Sequence, residues 1–341
     1  ELTGDLRGRA SGAPLSLREL AASSTRAELT LASIRVQDSP RPQWPLRLES
    51  SDGRFLLAGG PGEALRIEAD RGGAFSLQLG GALPIRGTAA GQLRSGRIES
   101  ICQVESLDIR VLNTVLAKAA NIIRFNTGNA TGTLRISGAI NDPDWDGALD
   151  IRGAELVFVP SPDPVGPIDT RLVFEQKEFY LPRTATRSGR VPLEAEGTFY
   201  LDHWVPEALE LFFYIEQTPG VHIRYTFGPV YADGYASGAV RVRSDETGVL
   251  VQGKVQANTC RVALEREAPA PAEGPPGAPL SVELQIETGR TVEFYWPAMT
   301  FPVLRAYARQ GEKLSLRLDG DTGAFALLGD VQIRGGEIFY F

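Results

Sequence analysis

Hydrophobic and polar residues alternate with a period of two along most of the chain. The clearest stretch runs from Gly132 to Phe158 and reads G-T-L-R-I-S-G, N-D-P-D-W-D-G, A-L-D-I-R-G-A-E-L-V-F. Leu134 and Ile136 alternate with Arg135 and Ser137, a polar turn follows, and Leu149 and Ile151 resume the alternation. This pattern predicts an antiparallel strand pair with one apolar and one polar face. The same pattern returns from Gly238 to Gln256 and from Leu314 to Ile338. Such a unit cannot bury its apolar face alone and must stack on its neighbours, so the repetition predicts an elongated all-β protein.

Before residue 100, short alternating groups such as Leu46 and Leu48, Phe55 and Leu57, and Phe75 to Leu79 are separated by Gly, Pro, Ser or Asp, as in a meander. Between Leu107 and Ile123 the period changes. Ile109, Leu112, Leu116 and Ala119 stand three or four apart, which predicts one amphipathic helix. It would act as a plug over an open end or wall of the sheet, or as a lid over a ligand groove. A proline-broken loop follows (Pro160, Pro162, Pro164, Pro167), then short strands at Leu172–Phe174, Phe179–Leu181, Val191–Ala195 and Thr198–Leu201. Leu209 to Ile215 and Val221 to Phe227 carry the most regular alternation. Glu267 to Pro279 (E-A-P-A-P-A-E-G-P-P-G-A-P) reads as a flexible excursion. In the last unit, Pro302 to Gln310 predicts a short helix. The expected organisation is a meander over 1–100, a central repeat region over 101–267, the excursion over 268–279 and a last unit over 280–341.

Composition agrees with many short strands joined by turns: of 341 residues 43% are hydrophobic, and Gly (37) and Pro (23) are abundant. A net charge of −7 without a long Lys or Arg run argues against nucleic acid as a partner. The chain has neither an apolar run of membrane-spanning length nor a basic start followed by an apolar core. It reads as a fragment whose targeting segment lies outside it. Cys102 and Cys260 fit no metal or disulfide framework, although one long bridge between them stays open.

Candidate chemistry is sparse. Asp142, Asp144, Asp146 and Gly147 match the opening of a calcium loop, but the position for a bidentate Glu is Gly153 and Pro143 interrupts the run, so a turn is the expectation. His203 and His222 sit in no metal-ligand or nucleophile spacing, no phosphate-binding or nucleophile motif occurs in context, and no carboxylate pair stands out. Enzymatic activity and cofactors are therefore not expected. The aromatic groups Tyr225, Phe227, Tyr231, Tyr235 and Phe294, Tyr295, Trp296, Phe301 read as packing or groove lining.

The run L-D-I-R-V-L-N-T-V-L-A-K-A-A (Leu107 to Ala120), the unit that follows it, and the ending G-A-F-A-L-L-G-D-V-Q-I-R-G-G-E-I-F-Y-F resemble the C-terminal region of the TamB family of AsmA-like bridge proteins of double-membraned bacteria. The resemblance spans about Gly87 to Phe341 and is only compositional before that. It implies a long, predominantly antiparallel sheet curled into an apolar-lined trough, with one or two short amphipathic helices. It further implies a periplasmic location, anchored by an inner-membrane helix outside this chain. The implied function is transport of phospholipids toward the outer membrane, with the acyl chains shielded in the groove. The alternatives are a chaperone for outer-membrane strands working with a barrel partner of the TamA/BamA type, or a structural β-solenoid without a ligand. Roughly twenty rungs spaced about 4.8 Å would extend on the order of 90 Å. Residues expected to line the groove are Leu134, Ile136, Leu149, Ile151, Leu172, Phe174, Leu211, Phe213, Ile223, Tyr225, Val240, Val242, Val251, Leu284, Phe294, Leu316, Phe325 and Ile333. A transmembrane barrel fits less well, because alternation over about five residues falls short of the 9 to 11 that a spanning strand needs.

Overall fold

The computed structural model describes residues 6–8, 25–31, 34–36, 39–41, 44–60, 62–81, 83–115, 123–227, 229–264 and 279–339. The first strands are β1 (Leu6–Gly8), β2 (Thr25–Leu31), the small pair β3 (Ile34–Val36) and β4 (Ser39–Arg41), β5 (Trp44–Ser51), β6 (Arg54–Gly59), β7 (Leu65–Asp70) and β8 (Ala74–Leu79). Longer strands follow: β9 (Ile85–Arg94), β10 (Arg97–Asp108), β11 (Ile123–Ala139), β12 (Asp142–Phe158), β13 (Val165–Gln176), β14 (Glu178–Ser188), β15 (Val191–Asp202) and β16 (Val205–Ile215). The remainder comprises β17 (Val221–Phe227), β18 (Val230–Asp245), β19 (Gly248–Leu264), β20 (Leu280–Thr288), β21 (Val292–Trp296), β22 (Leu304–Ala308), β23 (Lys313–Leu318), β24 (Phe325–Leu328) and β25 (Ile333–Ile338).

All but β3 and β4 belong to one 23-stranded sheet. Four rungs are each built from two strands end to end, namely β16 with β17, β20 with β21, β23 with β22 and β24 with β25. The pairing is antiparallel except at one joint, where β19 takes β20 and then β21 alongside it in parallel. A parallel neighbour needs a connection of a dozen or more residues, and 265–278 has that length. The excursion read between Glu267 and Pro279 lies, apart from Pro279, outside the described residues. No boundary falls near residue 100, since that position is inside β10, which pairs with β9 and β11 on its two sides.

The sheet is not closed into a barrel, because among the described residues β1 pairs only with β2 and the β24–β25 rung only with β23 and β22. It is curled. Strands β12 and β16 are four rungs apart, which on a flat sheet would be roughly 19 Å. The rings of Phe158 and Phe213 on those strands nevertheless lie 6.3 Å apart. Both lips are tied across several rungs: Trp204 Nε1 donates to Ile140 O at 2.7 Å, and Arg224 N–H donates to Pro160 O at 2.8 Å.

The central strands reach 17 residues, far longer than the groups of about five read from the sequence. Strand length therefore does not argue against a barrel; the unpaired ends do. Gly197, paired with Leu181 and Leu211, joins two expected strands into β15. Pro167, expected in a loop, lies in β13, but the ladder to β14 is interrupted there, between Val165 and Val173, and Thr186 Oγ1 donates to Pro167 O at 3.0 Å across the gap. A Cβ at Gly132 would sit 2.2 Å from Ala148 O, and Gly238, at the same place in its repeat and with φ +131°, would bring one to 2.2 Å from Lys254 O. The two repeats thus fold as equivalent hairpins, β11–β12 and β18–β19, each closed by a glycine where the backbones meet. The third repeat departs: β23 and β24 form a hairpin, but β25 crosses to pair with β22.

Among the described residues helix is confined to a 3-10 turn over Ile109–Val111 and an α-helical turn over Leu112–Val115. Leu107 and Asp108 are in β10 and Ile123 is in β11, while 116–122 lie outside the described residues. The Asp108 carboxyl accepts from Arg110 N–H and from the Arg110 guanidinium, and that pairing holds its pKa below the usual carboxylate value. Ile109 is 1% exposed in the core, and Asn113 closes two 2.8 Å bonds with the Phe125 backbone. Pro302–Gln310, expected as helix, is the strand β22 with its flanks, because Ala306 and Ala308 face inward at a period of two. No helix among the described residues is long and apolar enough to cross a membrane.

A row of rings secures the middle of the sheet: Phe179 lies between Phe174 at 4.8 Å and Phe199 at 4.5 Å, all three on adjacent strands and buried. Replacing Phe179 by Ala should cost about 3–5 kcal/mol in urea unfolding. A loss under about 1 kcal/mol would show that the row does not hold the curl.

Candidate functional site: an apolar trough with two hollows

The candidate site follows from the alternation. In β15 and β16 every second residue is buried, including Leu193, Ala195, Phe199, Leu209, Leu211, Phe213 and Ile215. The residues between them face outward and carry the charge. Arg135 pairs with Glu99 at 2.8 Å, Arg183 with Glu194 and Arg241 with Glu210, while Arg183 also lies 4.4 Å from the Tyr214 ring centre. Such exposed pairs contribute at most about 1 kcal/mol each. Their effect is to keep one face wet while the other curls on itself.

The inward faces of β11 to β20 and of β23 converge in one core, beside a smaller cluster of Cys260, Val292 and Ala308. Two hollows lie along it. The first, of about 330 Å³, is lined from β8 to β14 and by the turn before β16, including Leu77, Cys102, Ile109, Leu112, Trp145, Phe179 and Trp204. The second, of about 190 Å³, lies toward the other lip and the C-terminal rungs, with Phe158, Val165, Leu193, Ile215, Val230, Val262 and Val292 in its wall. Individual strands pass from one hollow to the other. Along β12, Trp145, Leu149 and Ile151 face the first, Ala154 and Leu156 are buried in neither, and Phe158 faces the second. Along β16, Pro206 faces the first, Leu209 and Leu211 are buried in neither, and Phe213 faces the second. A packed septum therefore separates the hollows.

Of the residues expected in the groove, Leu134, Ile136, Leu149, Ile151, Leu172 and Phe174 line the first hollow. Phe213, Ile223, Val240, Val251, Leu284, Phe294 and Leu316 line the second. Leu211 and Val242, register partners on β16 and β18, are buried in the core instead. Tyr225 and Phe325 pack half-buried against that core. Ile333 is 51% exposed, because its strand is the last rung with no neighbour beyond it. Phe158, Ile215 and Val230 were not among the expected lining residues, although for Phe158 and Ile215 the alternation of their own strands was the available signal. Ile109 and Leu112, read as part of an amphipathic plug or lid, line the first hollow from the helical segment.

The walls offer little polar chemistry. In the second hollow, Ser161 and Ser188 donate to Asp163 O at 2.9 and 3.2 Å, and Thr288 donates to Arg309 O at 2.7 Å. Among the described residues no cluster of His, Cys, Asp or Glu could hold a metal ion. The acidic turn at Asp142 and Asp144 is half offset by Lys177, whose Nζ pairs with Asp142 and lies 3.7 Å from Asp144. His222 sits 2.8 Å from Asp233 and stacks on Tyr235 at 5.2 Å between ring centres. Of the second aromatic group, Phe294 lines the second hollow while Trp296 and Phe301 are exposed. Comparison with protein-family models, with curated proteins and with solved structures returns no match.

Cys102 and Cys260 are free thiols, one in the wall of each hollow, so the long bridge left open by the sequence is not formed. Burial raises the Cys102 pKa, and burial followed by the nearby Asp233 charge pushes Cys260 to about 12 from its ordinary 9.0. Folding therefore favours the protonated Cys260 thiol. Its contribution is complete below about pH 9 and declines as pH rises toward 12, by at most about 1.4 kcal/mol per pH unit. Urea unfolding across that range should show a steeper loss for the wild type than for Cys260→Ala. Equal slopes would show that the second hollow is wetter than described.

Proposed function

We propose that this chain is a segment of a bridge-type lipid carrier whose trough shields phospholipid acyl chains while their head groups stay in water. The carrying observation is the one-sided trough: an apolar interior with two hollows behind a charged exterior, in a sheet with free ends. An acyl chain seated there recovers about 0.8 kcal/mol per buried methylene, which nearly offsets the cost of leaving a bilayer. The first hollow is within the usual size of ligand pockets, roughly 300–1,000 Å³. In the second, Ser161, Ser188 and Thr288 are engaged with the backbone, consistent with a cargo recognised by its tail.

Nineteen rungs at about 4.8 Å give on the order of 90 Å of sheet. That figure is contour length, shortened end to end where β16 curls back over β12; the bridging role between inner and outer membrane, from a periplasmic position, rests on the resemblance in sequence. The septum means that a lipid moves by displacing Leu156 and Leu211, not by sliding along an open strip. The exposed apolar last rung favours a second reading, in which a free edge receives outer-membrane strands in concert with a barrel partner.

Native mass spectrometry of the purified chain should detect bound phospholipid, and Ile223→Asp, at a half-buried wall position, should reduce it at least tenfold without unfolding the sheet. A wild-type chain free of lipid, and unable to take it from vesicles, would contradict the carrier.

A further inference from the structure

The last rung has an unusual sequence for an edge. Strand β25 reads I-R-G-G-E-I, and its hydrogen-bonding partner on one side is β22; on the other side it has none among the described strands. All six residues are exposed, with Ile333 at 51% and Ile338 at 59%. Natural edges are usually blunted by lysine, proline or an inward charge. β25 contains no lysine or proline, and its two charges are of opposite sign.

Its register shows which residues share a face. Ile338 stands opposite Leu304 and Ile333 opposite Ala308, positions four apart on β22, so both isoleucines are on the same side. Glu337 stands opposite Arg305 and Gly335 opposite Tyr307, on the other side. The register shifts between Tyr307 and Ala308, which leaves Arg334 as the extra residue of a bulge, 6.0 Å from the Tyr307 ring centre.

We infer that β25 is a self-complementary edge through which two copies of this chain pair antiparallel about a two-fold axis at Gly336. A two-fold perpendicular to the sheet keeps both apolar faces on one side, as an isologous interface requires. With the bulge counted as one position, Ile333 of one copy then meets Ile338 of the second on the inner face. Gly336 meets Gly336, and Arg334 reaches Glu337 of the second copy on the outer face. The Arg334–Glu337 pair thus forms twice, once from each copy, and adds to the 3.8 Å pair that Glu337 makes with Arg305 of its own chain. The main-chain ladder supplies the affinity and the ion pairs set the register. The inference is independent of lipid carriage, and the dimer would cover the edge that a client strand needs.

Charge reversal gives the test. Sedimentation of the wild type at micromolar concentrations should show a dimer. R334E leaves two acidic groups on the edge and E337R two basic ones, so each variant alone should dissociate at least tenfold more readily, and an equimolar mixture should recover the dimer as a heterodimer. That recovery also establishes that both variants are folded. A monomeric wild type, as expected if the edge serves a foreign strand, would overturn the inference. So would a dimer indifferent to both substitutions, or a mixture that stays monomeric.

Discussion

The structure depends on one constraint: a sheet this wide, apolar on one face and charged on the other, cannot stay flat in water. Each inward residue contributes only if another wall comes over it, and strands joined in a meander provide that wall by curling. The 6.3 Å between Phe158 and Phe213 is the direct sign of it. Burial at about 25 cal/mol per Å² drives the curl. Glycines at the points of close backbone approach, such as Gly147 and Gly238, permit it.

Curling also limits how far the interior can fill. Where strands cross tightly, Leu156, Leu209, Leu211 and Val242 meet and close the centre. Toward each lip a hollow remains. Ile109 and Leu112 extend into the first hollow from the helical turn, which narrows it without filling it. The interior is thus neither an open strip nor a solid core.

Much of this was legible in the chain. The period of two gave the all-β class, the apolar face and most of the groove, because a strand's alternation is a local property. The equivalence of β11–β12 with β18–β19 was visible as a repeat. Strand length was not, since Gly197 reads as a break locally but is held in the ladder by Leu181 and Leu211, while Pro167 does interrupt the ladder to β14 and the strand resumes beyond it. Pro302–Gln310 was misread because two inward alanines give a weak pattern that only pairing with β21 and β25 resolves. The septum was also hidden. Leu211 and Phe213 have the same local pattern, and only tertiary crossing buries one in the core and leaves the other at a hollow. The exposure of Ile333 follows from its place at the end of the sheet, which alternation does not encode.

The central claim is that the hollows accept acyl chains, and Trp145 and Trp204, 5.6 Å apart between ring centres in the wall of the first hollow, report on it directly. Phospholipid brominated along its acyl chains should quench the protein's tryptophan fluorescence, with most of the effect lost when Trp145 and Trp204 are both replaced by Phe, while head-group-labelled lipid should leave it unchanged. Fluorescence that does not respond to the brominated chains would contradict the account.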